Sequence, residues 1–134
     1  MEETKRKKLD ELVGKLGMSQ SLAVLLDSDE YYERFERAVE NCLQEYLEGK
    51  KGRSINTVYW KSKLGGKVIL RPTLVPSKYF DVFRRNYGIG CSNQTLREIG
   101  TSEGVSLGCI GQKVRSVVEI LRQKNKRDIW YGTL

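Results

Sequence analysis

The chain has 134 residues, of which 39% are hydrophobic and 31% are charged, a composition that suits one compact domain or two very small ones. No apolar run approaches the roughly 20 residues that a membrane-spanning helix needs, and the sequence contains no histidine, the commonest general base and zinc ligand. The three cysteines are far apart and form no CxxC pair, which argues against a disulfide framework. We therefore expect a cytoplasmic protein that is not an enzyme, with no catalytic or metal site, no cofactor and no membrane partner.

The net charge of +7 is divided unevenly along the chain. Residues 1–50 carry eight Lys and Arg against twelve Asp and Glu, a balance of −4, whereas residues 51–134 carry sixteen against five, a balance of +11. A basic half of this strength is typical of proteins that displace counterions from a polyanion. The distribution favours double-stranded DNA as the partner, and a solvated basic surface without a partner is the alternative.

Two amphipathic helices are predicted in residues 1–50. The first, a docking helix, is indicated by apolar residues at helical spacing, which are Leu9, Leu12, Val13 and Leu16. Gly17 is a residue at which this first helix can end. After the apolar run SLAVLL, Asp29 can cap a longer helix over about residues 30–48, which Gly49 ends. Its apolar stripe consists of Tyr32, Phe35, Val39, Cys42, Leu43 and Tyr46. This stripe is a candidate homodimer face, and the glutamates off the stripe are expected to be solvated.

Residues 51–76 allow two predictions of secondary structure. Pieces rich in Val, Ile, Tyr and Trp flank Gly65-Gly66, which indicates a hairpin with a tight turn. Ser54 could instead cap a short helix that ends at these glycines. Basic residues interleave with aromatic ones, as in a nucleic-acid-facing hairpin or wing, and these are Lys61, Lys63, Lys67 and Arg71 with Tyr59 and Trp60. Packing of the two aromatic rings against the helices is the alternative role. Pro72 and Pro76 mark a junction.

The stretch from Thr95 to Arg122 predicts two helices joined by a short turn. Leu96, Ile99 and Gly100 give the first helix an apolar contact and a position without a side chain. Gly104 permits the positive φ of a tight turn, Val105 fills the corner, and Ser106 is a good N-cap. The second helix has a buried stripe at spacings of three and four, formed by Leu107, Ile110, Val114, Val117 and Leu121. This arrangement is a helix-turn-helix.

Three motifs lie in and before this helix-turn-helix, namely FRRNYGI (Phe83–Ile89), TLREIG (Thr95–Gly100) and the turn GVS. With these motifs, residues 77–124 resemble the fourth region of bacterial sigma factors, the module that recognises the upstream promoter element. Small phage late-gene activators of the ArpU and RinA type are similar in size and in carrying such a C-terminal module. The resemblance implies a sequence-specific DNA-binding transcription regulator, encoded by a phage or prophage, with bacterial RNA polymerase as a further candidate partner. The length leaves no room for a promoter-melting region, so a complete sigma factor is not expected.

The predicted recognition helix departs from the pattern of that family. The family's helix usually starts SRERVRQIE, whereas this chain reads SLGCIGQKV, and only the base-reading position at Gln112 keeps a matching residue. Gly108 and Gly111 replace polar side chains. They either let the backbone approach phosphates or a partner helix, or they are tolerated near the helix start.

Two sets of DNA contacts are predicted. The base contacts are assigned to Gln112, Lys113, Arg115 and Ser116, because Gln pairs well with adenine and Lys or Arg with guanine. The phosphate contacts are assigned to Arg84, Arg85, Arg97, Lys124, Lys126 and Arg127. For each basic residue, an exposed solvated charge is the alternative.

The sequence thus predicts a mainly α fold in three parts. These are an acidic helical part (1–50), a basic hairpin or linker (51–76) and a sigma-like helix-turn-helix domain (77–134). Two other functional classes stay open. One is a phage packaging protein like a terminase small subunit, which would form rings and bind DNA with little sequence preference. The other is a helix-turn-helix module that docks a protein.

Overall fold

A computed structural model describes residues 2–18, 28–48 and 56–133 of the chain. The structure is mainly helical with a small antiparallel sheet, which confirms the predicted fold class at this level. The elements in chain order are α1 (Glu3–Lys15), α2 (Ser28–Leu47), β1 (Thr57–Leu64), β2 (Lys67–Leu74), α3 (Ser77–Tyr87), α4 (Leu96–Glu103), α5 (Leu107–Ile120), a π-helical turn (Leu121–Asn125) and α6 (Lys126–Thr133). The SLAVLL run, Gly49 and Ser54 lie outside the described residues.

The two N-terminal helices turn their predicted apolar stripes into the core. All four aliphatic residues predicted for the first helix are fully buried, three of them in α1 and Leu16 directly after it, and Gly17 follows with a φ of 68°. In α2, Phe35 and Leu43 are fully buried. The stripe of α2 packs within its own chain, so it is not free to form the homodimer face suggested for it. The expected solvation of the glutamates is wrong for Glu36, which is half-buried and lies 2.7 Å from Lys5 Nζ.

The middle segment is a hairpin, and the alternative of a short helix ending at its glycines is wrong. Leu64 pairs with Lys67 across the turn, and every residue from Thr57 to Leu64 has an antiparallel partner on β2. Gly65 and Gly66 have φ values of 58° and 81°. Positive φ at both central residues is what the two-residue turns that match the twist of a hairpin require, and glycine adopts it without strain.

One hydrophobic core joins the helices of residues 1–50 to those of residues 77–133. The rings of Tyr46 on α2 and Phe80 on α3 stack with their centroids 4.4 Å apart. The Tyr46 hydroxyl donates to Asn125 Oδ1 of the π-helical turn at 2.7 Å, and burial raises the pKa of this hydroxyl to about 12. On α1, Lys15 Nζ donates to the Tyr87 hydroxyl of α3 at 3.1 Å. The acidic and basic parts of the sequence therefore share their packing.

The closest helix-to-helix approach that depends on a glycine lies between α2 and α6. A Cβ atom added at Gly132 would stand 2.7 Å from the Ala38 Cβ atom, whereas one added at Gly14 of α1 would meet nothing within 4 Å. We expect Gly132→Ala to lower the free energy of unfolding by about 1–3 kcal/mol through overpacking. Gly14→Ala, the matched control, should raise it by up to about 1 kcal/mol. Urea unfolding measures the change in the free energy of unfolding of each variant when the m-value is unchanged. Equal stability of the two variants would contradict this contact.

Candidate nucleic-acid interface

A tightly capped turn holds α4 and α5 together. The Thr95 side chain and Glu98 form a reciprocal capping box at the start of α4, and Ser106 Oγ accepts from the Cys109 N–H at the start of α5. Gly104 has a φ of 70°, as the predicted turn requires. A Cβ atom at Gly100 would stand 2.9 Å from the Val105 carbonyl oxygen, so the turn folds back closely onto α4. Two helices joined by a three-residue turn are therefore present as predicted, and their sigma-like character stays a prediction.

Arg85 braces this pair of helices against α3. Its guanidinium donates to Gln94 Oε1 at 2.9 Å, to Glu103 Oε1 at 2.7 Å and to Ser102 Oγ at 2.9 Å. Glu103, at the end of α4, forms an ion pair with this arginine. Arg85 therefore has a structural role beside the phosphate contact predicted for it, because its donors fix the angle between α3 and α4.

The outward face of α5 presents polar side chains on a rigid support. Gly108, Gln112, Arg115 and Glu119 follow one another at intervals of three or four, and Gln112 and Arg115 are exposed. The opposite face, with Ile110, Val114 and Val117, is buried. A Cβ atom at Gly108 or Gly111 would meet nothing within 4 Å. Packing among the described residues therefore does not require either glycine, and both leave open space on the helix surface.

Three of the four predicted base-contacting residues lie together around Trp60 of the hairpin. Gln112, Arg115 and Ser116 line a cleft of about 340 Å³ with this ring, and the Arg115 guanidinium carbon lies 5.5 Å from the ring centroid. The Ser116 hydroxyl donates to the Gln112 carbonyl oxygen, which directs it toward its own helix. Lys113 is turned elsewhere, since its Nζ lies 5.1 Å from the Tyr79 ring centroid on α3.

The six predicted phosphate-contacting residues do not form one surface. Arg84 Nη2 lies 2.8 Å from Asp81 Oδ1, and this hydrogen bond raises the pKa of the arginine. Arg97 is exposed in the first turn of α4. Arg85 braces α4, and the last three, which are Lys124, Lys126 and Arg127, line a different cavity of about 450 Å³ with Gly17 and Met18 at the end of α1. Burial lowers the pKa of Lys124. Their phosphate contacts stay predictions.

The hairpin is fixed beside α5 through Gln123, a residue that the sequence did not single out. Gln123 Oε1 accepts from the Tyr59 N–H at 3.2 Å, and its Nε2 donates to the Tyr59 carbonyl oxygen at 2.8 Å. Tyr59, Lys61 and Leu70 line a cleft with Glu119 and Arg122, which are paired with each other. Trp60 is partly buried here, so the packing role proposed for it is present. A separation of 64 residues between Tyr59 and Gln123 leaves no local sequence signal for this contact.

Comparisons of the chain with models of protein families, with curated proteins and with solved structures found no match. In the described part of the chain, no helix combines the length and apolar character that crossing a membrane requires. The same residues contain no group of three or more His, Cys, Asp or Glu side chains arranged to hold a metal ion. The geometry of α4, α5 and the hairpin is therefore the basis for a functional proposal.

Proposed function

We propose that this protein is a sequence-specific DNA-binding transcription regulator in which α5 enters the major groove. The observation that carries the proposal is the outward face of α5, where Gln112 and Arg115 are exposed on a helix capped by Ser106 and braced through α4. The major groove is about 12 Å wide and admits an α-helix. Glutamine can read adenine and arginine can read guanine through paired hydrogen bonds.

The charge of residues 51–134 supports the same proposal. These residues have a charge balance of +11, and their Lys and Arg side chains would release counterions from the DNA backbone on binding. Arg97 is suited to a phosphate contact because it is exposed in the first turn of α4. The resemblance to sigma factors adds bacterial RNA polymerase as a proposed second partner, the cytoplasm as the proposed location and a phage or prophage as the proposed origin.

A protein-docking module is the second candidate function. The open space at Gly108, which is exposed, and at Gly111, which is half-buried, favours it, because glycines on a helix surface let another helix approach closely. A module of this kind would need no basic surface and would show no preference among DNA sequences. The two candidates therefore separate in a direct DNA-binding experiment.

Selection from a random duplex library, followed by affinity measurements on the enriched and on a scrambled duplex, tests the proposal. We expect Gln112→Ala to cost about 1–3 kcal/mol on the enriched duplex and little on the scrambled one, because a base contact is lost. Arg97→Ala, the matched control for a phosphate contact, should weaken both duplexes alike and lower the slope of log affinity against log salt by about 0.9.

Urea unfolding of both variants is the control for stability, since Gln112 and Arg97 are exposed and should not change it. If no sequence is enriched, the proposed regulator is wrong. If Gln112→Ala loses the same affinity for the enriched and for the scrambled duplex, α5 does not read sequence, and the docking module is favoured.

A further inference from the structure

The hairpin exposes apolar and basic side chains together. Every residue of β2 is exposed, and Leu64 and Val68 beside the turn are 71% and 62% exposed. The other large exposed apolar residues of the hairpin are Tyr59, Ile69, Leu70 and Leu74. Residues 57–74 also carry four cations and no acidic residue, and the cations are Lys61, Lys63, Lys67 and Arg71. A surface with this combination would attract an anionic partner that also offers apolar surface.

The edges of the hairpin are poorly suited to strand addition by a second protein chain. The Val75 N–H donates to the Asn56 carbonyl oxygen, so by alternation the Tyr59 N–H and carbonyl point away from β2. Gln123 already binds both of these groups. Pro72 is the partner of Tyr59 on β2 and has no N–H to offer at the opposite edge. Blocked or proline-bearing edges disfavour edge-to-edge pairing.

The hairpin continues well beyond its contact with α5. It begins in the core at Val58, which is fully buried, and meets Arg115 of α5 at Trp60. Four further residues lead to Leu64, and at about 3.3 Å per residue the tip lies roughly 13 Å beyond this contact. From Lys63 onward both strands are exposed. The depth of the major groove is about 8.5 Å, so the hairpin is long enough to reach the DNA flanking a helix that lies in this groove.

We infer that the hairpin is a second DNA-contacting element, which enters the minor groove beside the major groove that α5 occupies. This inference rests on the proposed function. Lys61 and Lys63 lie on one face of the hairpin, where they can contact phosphates, and Val68 lies on that face as the partner of Lys63. Leu64 lies on the other face at the tip, so the apolar tip can contact sugars and base edges from both faces. Minor-groove proteins commonly combine basic side chains with apolar wedges that partly unstack a base step and bend the duplex.

The duplex is favoured over other anionic surfaces because the hairpin is fixed in place. Trp60 and Gln123 tie it to α5 and to the π-helical turn, and its Lys61 lines a cleft with Arg115. Both elements belong to the basic half of the chain. A duplex can contact both at once, and each contact raises the effective concentration of the other.

Binding of the intact protein to a long and a short duplex tests this inference. Both contain the enriched sequence, and the short one ends where the α5 contact ends. We expect the wild type to bind the long duplex at least fivefold more tightly at about 0.15 M salt, since one released counterion alone corresponds to about fivefold. Lys63→Ala should lose about fivefold on the long duplex and little on the short one. Lys7→Ala is the matched control, because this lysine is exposed on α1, away from the hairpin, and the change should leave both affinities unchanged.

A second variant examines the apolar tip without disturbing the core. Leu64→Ser changes a side chain that is 71% exposed. The free energy of unfolding of this variant in urea should therefore equal that of the wild type. Fluorescence energy transfer between the ends of the long duplex should show a bend with the wild type and a smaller bend with Leu64→Ser. An unbent duplex with the wild type would overturn the wedge role of the tip.

The outcomes separate this inference from the proposed function. If the wild type binds no duplex, the proposed function fails and this inference fails with it. If Gln112→Ala loses selectivity while Lys63→Ala binds the long duplex like the wild type, only the hairpin inference is wrong. Tighter binding by Lys63→Ala would mean that the hairpin obstructs α5, which also overturns it. If Lys63→Ala loses binding to phosphatidylserine vesicles while its duplex affinity is unchanged, the hairpin would be assigned to a lipid surface instead.

Discussion

A chain lacking residues 1–50 is expected not to fold. Twelve of the buried core side chains belong to residues 9–46, on α1, on α2 and in the two-residue flank of Leu16 and Met18 around Gly17. Their removal would expose the surfaces of α3 and α6 on which they pack, including Phe80 under Tyr46. Burial of one large apolar side chain contributes roughly 1.5–3 kcal/mol, whereas a whole domain has a net stability of only about 5–15 kcal/mol. The loss should therefore exceed what the remaining helices can supply.

Circular dichroism and urea unfolding of residues 51–134 measure this effect. We expect no cooperative transition, together with loss of DNA affinity. Glu33→Gln in the full chain is the control, because it removes an exposed acidic charge of α2 without touching the core. A folded fragment that binds duplex DNA more tightly than the full chain would contradict the shared core. That result would support the division into 1–50, 51–76 and 77–134 as separate parts.

The elements that could be predicted from the sequence are those with local signals. Gly65-Gly66 marked the hairpin turn, and Gly104 with Ser106 marked the turn between α4 and α5, because glycine and a capping hydroxyl are needed at those positions in any tertiary setting. The apolar spacing in α1 and α2 likewise predicted which side chains are buried. The same spacing could not tell whether the stripe of α2 faces its own chain or a second copy.

The arrangement of the candidate site could not be predicted in this way. Arg85 braces α4 through Ser102 and Glu103, which are 17 and 18 positions away in the sequence. Gln123 binds Tyr59, which is 64 positions away. Nothing local distinguishes these polar residues from solvated ones. The π-helical turn that presents Gln123 and Asn125 has no propensity signal in the sequence either. The same limit explains why Lys124, Lys126 and Arg127 were grouped with Arg97, although they line a cavity at the end of α1.

The affinity for duplex DNA is expected to depend steeply on salt. If α5, α4 and the hairpin together contact six phosphates, log affinity should fall with log salt at a slope of about −5.4, a loss of roughly a thousandfold between about 50 and 200 mM. Exposed cations on α4, on the hairpin and in the stretch that follows α5 can supply that number, namely Arg97, Lys61, Lys63, Lys67, Arg71 and Arg122. Fluorescence anisotropy across this salt range gives the slope.

The size of the slope also distinguishes which surface binds. Contact through α4 and α5 alone would leave the hairpin lysines in solvent, and the slope would be shallower by about 0.9 for each phosphate not contacted. Lys63→Ala would then leave the slope unchanged, whereas Arg97→Ala would lower it. A flat response in the wild type would mean that the balance of +11 is a solvated surface and not a polyanion site. In that case the open space at Gly108 and Gly111 would point to a protein partner, because close packing of helices does not require released counterions.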